Sequence, residues 1–114
     1  MTMDAEDANA YYNRGIAYGK KGEYDRAIPD FTKAIELDPK DAIAHFIRGN
    51  VYYEKGEYDR VISDFTKVIE LDPKDAIAYL SRENAYREKG EYDKAERDFS
   101  KARELLNIKR VSDH

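Results

Sequence analysis

The residues best placed to do chemistry are three Arg–Asp pairs held at one separation: Arg14 with Asp30, Arg48 with Asp64, and Arg82 with Asp98. A guanidinium and a carboxylate at a fixed step can form a bridge across two elements. Guanidinia turned to solvent would instead make a basic ladder for an acidic ligand. The in-register carboxylate favours the bridge, because charges near a core need partners. Other chemistry is thin. There is no Cys, so thiolate metal sites, disulfides and thiol catalysis are excluded. His45 and His114 lie far apart in sequence, and a lone His without a second ligand is not a metal site. Ser63, Ser81 and Ser100 have no base paired with them, and no phosphate-binding loop is present. No cofactor or metal is expected, and the chain is not read as an enzyme. Its many carboxylates read as caps and ion pairs.

Composition narrows the partners. Charged residues make up 39% of the 114 and hydrophobic ones 41%, which suits a single soluble helical domain and is too apolar for a disordered tail. The net charge is −4, with Lys and Arg interspersed among Asp and Glu. Nucleic acid is therefore not expected as a partner, since phosphate contacts need concentrated positive charge. No long apolar run could span a membrane. Residues 1–7 are acidic and do not read as a signal peptide. A cytoplasmic location is expected.

The elements that position the Arg–Asp pairs come from an internal repeat. Gly22-Glu23-Tyr24-Asp25 returns as Gly56-Glu57-Tyr58-Asp59 and as Gly90-Glu91-Tyr92-Asp93, a step of 34 residues. Tyr18, Tyr52 and Tyr86 keep the step, as do Phe31, Phe65 and Phe99. Residues 30–44 recur as 64–78 with one change, Val68 for Ala34. Such a period implies stacked units that cannot each bury a core alone. Each unit reads as two helices. Asp7, Asp41 and Asp75 are the expected N-caps of the first, and Gly22, Gly56 and Gly90 its left-handed C-terminal stops. Asp25, Asp59 and Asp93 fall in the first turn of the second, which Pro39 and Pro73 end. Tyr11, Gly15 and Tyr18 share one face, as do Ala27, Phe31 and Ala34. The tyrosines at these positions are core rather than a stacking surface for bases.

At these residues the chain resembles the tetratricopeptide repeat family, whose signature runs W-x2-L-G-x2-Y, A-x3-F, P. The first unit offers Tyr11, Arg14, Gly15, Tyr18, Ala27, Phe31 and Pro39 at those places. The second offers His45, Arg48, Gly49, Tyr52, Val61, Phe65 and Pro73. The third offers Tyr79, Arg82, Glu83, Tyr86, Ala95 and Phe99, with Asn107 where Pro would stand. The resemblance implies an all-α fold, a right-handed α-solenoid of three antiparallel hairpins. Their first helices would line a concave groove for a peptide or extended partner segment. Repeats are expected at about 8–41, 42–75 and 76–109 of one domain, with a short tail at 110–114.

The third unit departs most. Glu83 replaces Gly, Glu96 replaces Ile28 and Ile62, and Arg103 replaces Ile35 and Ile69. Residues 96 and 103 share a helix face, as a terminal repeat with a wet outer side requires. The tail after 107 is too short for a further solvating helix. Leu105 and Leu106 then leave apolar surface, and a homodimer or domain swap through this end stays open.

The expected groove takes Tyr12, Asn13 and Ile16 from the first unit. Phe46, Ile47, Asn50 and Tyr53 come from the second, and Ile77, Leu80, Asn84 and Arg87 from the third. That is more apolar surface than a solvated face needs, and Asn can bond a peptide backbone. Ile43 and Ile77 could instead pack against the preceding repeat. Family members that grip acidic chaperone tails use Lys, Asn and Arg in the groove. Tyr12, Ile16, Ile47, Ile77 and Ser81 stand at those places here, so the resemblance implies no such clamp, and an apolar or amphipathic segment is the expected ligand. The competing expectation is a structural or model repeat protein, or a fragment, without a dedicated ligand.

Overall fold

The turn signals of the sequence separate six helices in a computed structural model that describes residues 5–112. They are α1 (Ala5–Lys20), α2 (Tyr24–Leu37), α3 (Ala42–Lys55), α4 (Tyr58–Leu71), α5 (Ala76–Glu88) and α6 (Tyr92–Ser112). No strand occurs among the described residues. Residues 1–4 and 113–114, including His114, lie outside them.

Each hairpin turn closes the same way. Gly22, Gly56 and Gly90 sit at φ of 77°, 77° and 79°, where a side chain would be strained. The following N–H then reaches five residues back: Glu23 to the Tyr18 carbonyl, Glu57 to Tyr52 and Glu91 to Tyr86, at 2.9–3.0 Å. This satisfies carbonyls that the helix end would otherwise orphan. Between hairpins, Asp38 and Asp72 leave the helical region ahead of Pro39 and Pro73, so α2 and α4 stop at Leu37 and Leu71. Asp41 caps α3 by accepting from the backbone N–H of Ile43 and Ala44, and Asp75 caps α5 by accepting from Ala78.

Two expectations change at the ends. Asp7 is not an N-cap, because α1 begins at Ala5 and carries Asp7 inside its first turn. Pro39 and Pro73 stand two residues before the caps of α3 and α5, whereas Ala5 and Glu6 before Asp7 are helix-compatible. At the other end, residues 110–112 of the expected tail continue α6.

The main contacts run between successive helices, α1 on α2, α2 on α3 and onward to α6. The result is a right-handed solenoid measuring 50 × 32 × 21 Å. Its radius of gyration, 15.4 Å, exceeds the roughly 13 Å of a compact chain of this length, as stacking in one direction requires. The core is narrow and built from small residues around two rings. Ala27, Ala34, Ala44, Val61, Val68, Ala78 and Ala85 are buried around Phe31 and Phe65. The third ring, Phe99, is 37% exposed. Glu83 is buried where Gly15 and Gly49 stand in the first two hairpins, and it pairs with Arg87 at 2.7 Å.

Candidate functional site

All three Arg–Asp bridges form. Arg14, Arg48 and Arg82 each donate from Nε and Nη2 to both oxygens of Asp30, Asp64 and Asp98, at 2.6–2.9 Å. The carboxylates are buried and the guanidinia stack on tyrosines, Arg14 over Tyr11, Arg48 over Tyr52, and Arg82 over Tyr79 and Tyr86. The hydrogen bonds they donate to Asp30 and Asp98 raise the pKa of Arg14 and Arg82. At Arg48 burial pulls the other way, and the bond and charge of Asp64 outweigh it. The guanidinia are thus held in the hairpins and do not form a ladder for an acidic ligand. His45 is buried beside Asp64 and the Pro39 carbonyl, at 3.4 and 3.3 Å, a packing position as expected.

Two further contacts tie hairpin to hairpin. Arg48 Nη1 donates to Thr32 at 3.0 Å and Arg82 Nη1 to Thr66 at 3.1 Å. Lys55 pairs with Asp25 and Lys89 with Asp59. Sequence reasoning missed these links. Their signal was the same 34-residue step, read between units instead of within them.

The first helices α1, α3 and α5 carry the expected groove residues, and three hollows gather part of them. One of about 540 Å³ is lined by Ile16, Ile47 and Asn50 together with Lys20, Tyr24 and Glu54. One of about 400 Å³ is lined by Phe46, Ile47 and Asn50 with Ile43 and Val68. A smaller one, about 160 Å³, is lined by Asn50, Tyr53 and Asn84 with Ser81. Asn50 borders all three. Tyr12, Asn13, Ile77, Leu80 and Arg87 border none of them.

The aromatics are partly committed to packing. Tyr12 meets Phe31 edge-on at 5.9 Å, Phe46 meets Phe65 at 5.0 Å and Tyr53 meets Tyr58 at 5.3 Å. Each is half-buried, leaving one edge outward. Arg87 is engaged by Glu83 and Glu96, which raise its pKa through their hydrogen bonds. Asn13, Asn50 and Asn84 are exposed, and Leu80 is half-buried. Ile43 and Ile77 do not pack against the preceding repeat, for each is 61% exposed. Among the described residues no cluster of acids or histidines could hold a metal ion, and no helix is long and apolar enough to cross a membrane.

The family model described as Tetratricopeptide repeat matches residues 8–41 and 42–75. Among solved structures, the crystal structure of MamA superposes with a TM-score of 0.89 at 36% identity, covering 95% of this chain and 63% of that one. The chain therefore spans less than two thirds of MamA's length. The first TPR of Spaghetti (RPAP3), bound to the HSP90 peptide SRMEEVD, gives a TM-score of 0.82 at 26% identity, covering 90% of this chain and 82% of that one. The Arabidopsis OM64 TPR domain gives 0.80 at 29% identity, covering 88% and 83%. No curated protein sequence gives a significant match.

Proposed function

The chain belongs to the tetratricopeptide repeat family, and we propose that it is a non-catalytic protein-interaction module whose concave groove holds a segment of a partner protein. One observation carries this reading. Ile43 and Ile77 stand 61% exposed at corresponding places of α3 and α5, Ile43 at the edge of an apolar hollow, and a purely solvated face has no use for them. The ligand is an apolar or amphipathic segment whose side chains meet Ile16, Ile43, Phe46, Ile47 and Ile77. Its backbone meets Asn13, Asn50 and Asn84. Three repeats, 8–41, 42–75 and 76–109, make one binding unit, which works in the cytoplasm.

The RPAP3 domain holds an acidic chaperone peptide, but this groove is not read as a clamp for such a tail. Tyr12, Ile16, Ile47, Ile77 and Ser81 supply no positive charge where carboxylates would sit. The second reading is a structural repeat protein without a dedicated ligand, which the near-identity of residues 30–44 and 64–78 favours. An array of apolar, amphipathic and acidic-tail peptides separates them. Binding of amphipathic peptides, lost in Ile43→Asp and Ile77→Asp, supports the module. Preference for SRMEEVD would refute the absence of a clamp, and a silent array with folded protein would favour the second reading.

A further inference from the structure

Both junctions between hairpins are made by one set of contacts. The first helix of a hairpin supplies the donors, Arg48 and Lys55 or Arg82 and Lys89. The second helix of the hairpin before it supplies the acceptors, Thr32 and Asp25 or Thr66 and Asp59. Carried outward by the same 34-residue step, the donor set recurs as Arg14 on α1 and Lys21 in the turn just after it. The acceptor set recurs on α6 as Ser100 and Asp93.

Neither outer set is closed among the described residues. Arg14 spends Nε and Nη2 on Asp30 and is 59% exposed, against 17% and 18% for Arg48 and Arg82, which a neighbouring hairpin covers. Lys21, Asp93 and Ser100 are exposed, and no side-chain hydrogen bond or ion pair engages them among the described residues. Ala10 and Ala17 on α1 are exposed as well, whereas their counterparts Ala44, Val51, Ala78 and Ala85 are buried in the two junctions.

We infer that the two ends of the solenoid fit each other, and that copies of this chain associate head to tail, α6 of one copy lying antiparallel on α1 of the next. The register of the internal junctions sets Asp93 against Lys21 and Ser100 against Arg14. Position 96 then falls beside Ala17, between Arg14 and Lys21, and position 103 falls beside Ala10. The replacements Glu96 and Arg103 do not simply wet this face. Glu96 places an acid between two bases, while keeping its bond to Arg87 within the chain. Arg103 lies toward the acidic start of α1, where Asp7 stands.

Charge on the paired positions runs the same way. Along that face of α6, Asp93 and Glu96 come early and Arg103 late. Along α1, Asp7 comes early and Arg14 late, with Lys21 just past its end. Antiparallel docking brings Asp93 and Glu96 to Lys21 and Arg14, and Arg103 toward Asp7. It also aligns the turns that both helices add to the pattern, since α1 has 16 residues and α6 has 21 where the internal helices have 13 or 14. An interface between different faces does not close on itself, so association is open-ended. Carrying Glu96 and Arg103 where the internal junctions carry Ile, it is reversible and weakened by salt.

Sedimentation velocity and light scattering on the purified chain test this. In about 50 mM salt, where screening is weak, the mass should rise above the 13.3 kDa of one chain as concentration increases, without a plateau at the dimer. It should fall back in about 500 mM salt. Lys21→Glu and Asp93→Lys should each weaken association about tenfold, with unchanged helical circular dichroism. Mixing the two variants should restore it, since one keeps an intact α6 end and the other an intact α1 end. A strict monomer in low salt would overturn the inference. Association indifferent to both reversals, or variants that fail to rescue each other, would overturn it too. None of these readouts involves a groove ligand.

Discussion

The backbone of Gly49 lies directly against the ring of Phe65, so close that a Cβ there would come within 2.7 Å of Cε2. Gly15 stands in the same relation to Phe31, at 2.9 Å. In the third hairpin the counterpart is Glu83, and the ring that should fill the space, Phe99, is partly turned out to water. The close approach of the two helices of a hairpin therefore depends on the absence of a side chain at one position. Gly49→Ala should cost about 1–3 kcal/mol by overpacking a rigid ring. Gly19→Ala, which meets nothing within 4 Å, should stabilise by up to about 1 kcal/mol. Urea denaturation of the pair checks both, and a neutral Gly49→Ala would show that α3 and α4 can separate freely.

Gly56 tests backbone conformation without packing. Its φ is +77°, and a Cβ there meets nothing within 4 Å. Gly56→Ala should lower stability by about 1 kcal/mol from left-handed strain alone. The denaturant slope should stay unchanged, because no buried surface is altered. A large change in slope would mean that the turn unfolds rather than strains.

The 34-residue step made the hairpins, the glycine turns and the Arg–Asp bridges legible, because each is a local pattern repeated in phase. What it hid lies between repeats or at the ends. Arg48–Thr32 and Lys55–Asp25 join residues of different units, and reading each unit by itself cannot reveal them. Asp7 looked like a cap by analogy with Asp41 and Asp75. The prolines upstream of those two residues, and none upstream of Asp7, decided otherwise. Tyr12, Phe46 and Tyr53, expected in the groove, are half-buried. A helix periodicity does not say how far a large ring leans into the core, and each leans onto a ring of a neighbouring helix.

Removing one partner of a buried bridge should expose the difference between hairpins. Asp64→Ala strands Arg48, whose side chain is 17% exposed, and should cost about 3 kcal/mol. Asp30→Ala should cost less, because Arg14 is 59% exposed and water can take over its donors. Thermal melts of the two variants check the order. An equal drop in Tm would mean that solvent reaches Arg48 as readily as Arg14.

Thr66→Val removes the hydroxyl that Arg82 Nη1 bonds across the second junction, while keeping the shape of the side chain. A loss of about 1 kcal/mol is expected. The corresponding change at the outer end, Ser100→Ala, should leave the melting of dilute chain in high salt unchanged, since among the described residues no side chain engages Ser100. Comparable losses at both sites would mean that the threonine acts on its own helix rather than on the junction.

Asn50 borders all three hollows and is exposed, so its amide can meet a ligand without supporting the fold. An amide at this place can donate to one backbone carbonyl of an extended segment and accept from its N–H. Asn50→Ala should weaken binding of an amphipathic peptide by about tenfold, the loss of one or two hydrogen bonds. Stability should move by less than about 0.5 kcal/mol, as at other exposed sites. Fluorescence anisotropy of a labelled peptide, measured beside a urea melt, separates the two effects. Weakened binding with unchanged stability places the ligand backbone over α3. Unchanged binding would move the ligand away from the point where the three hollows meet, to the exposed rim at Ile77.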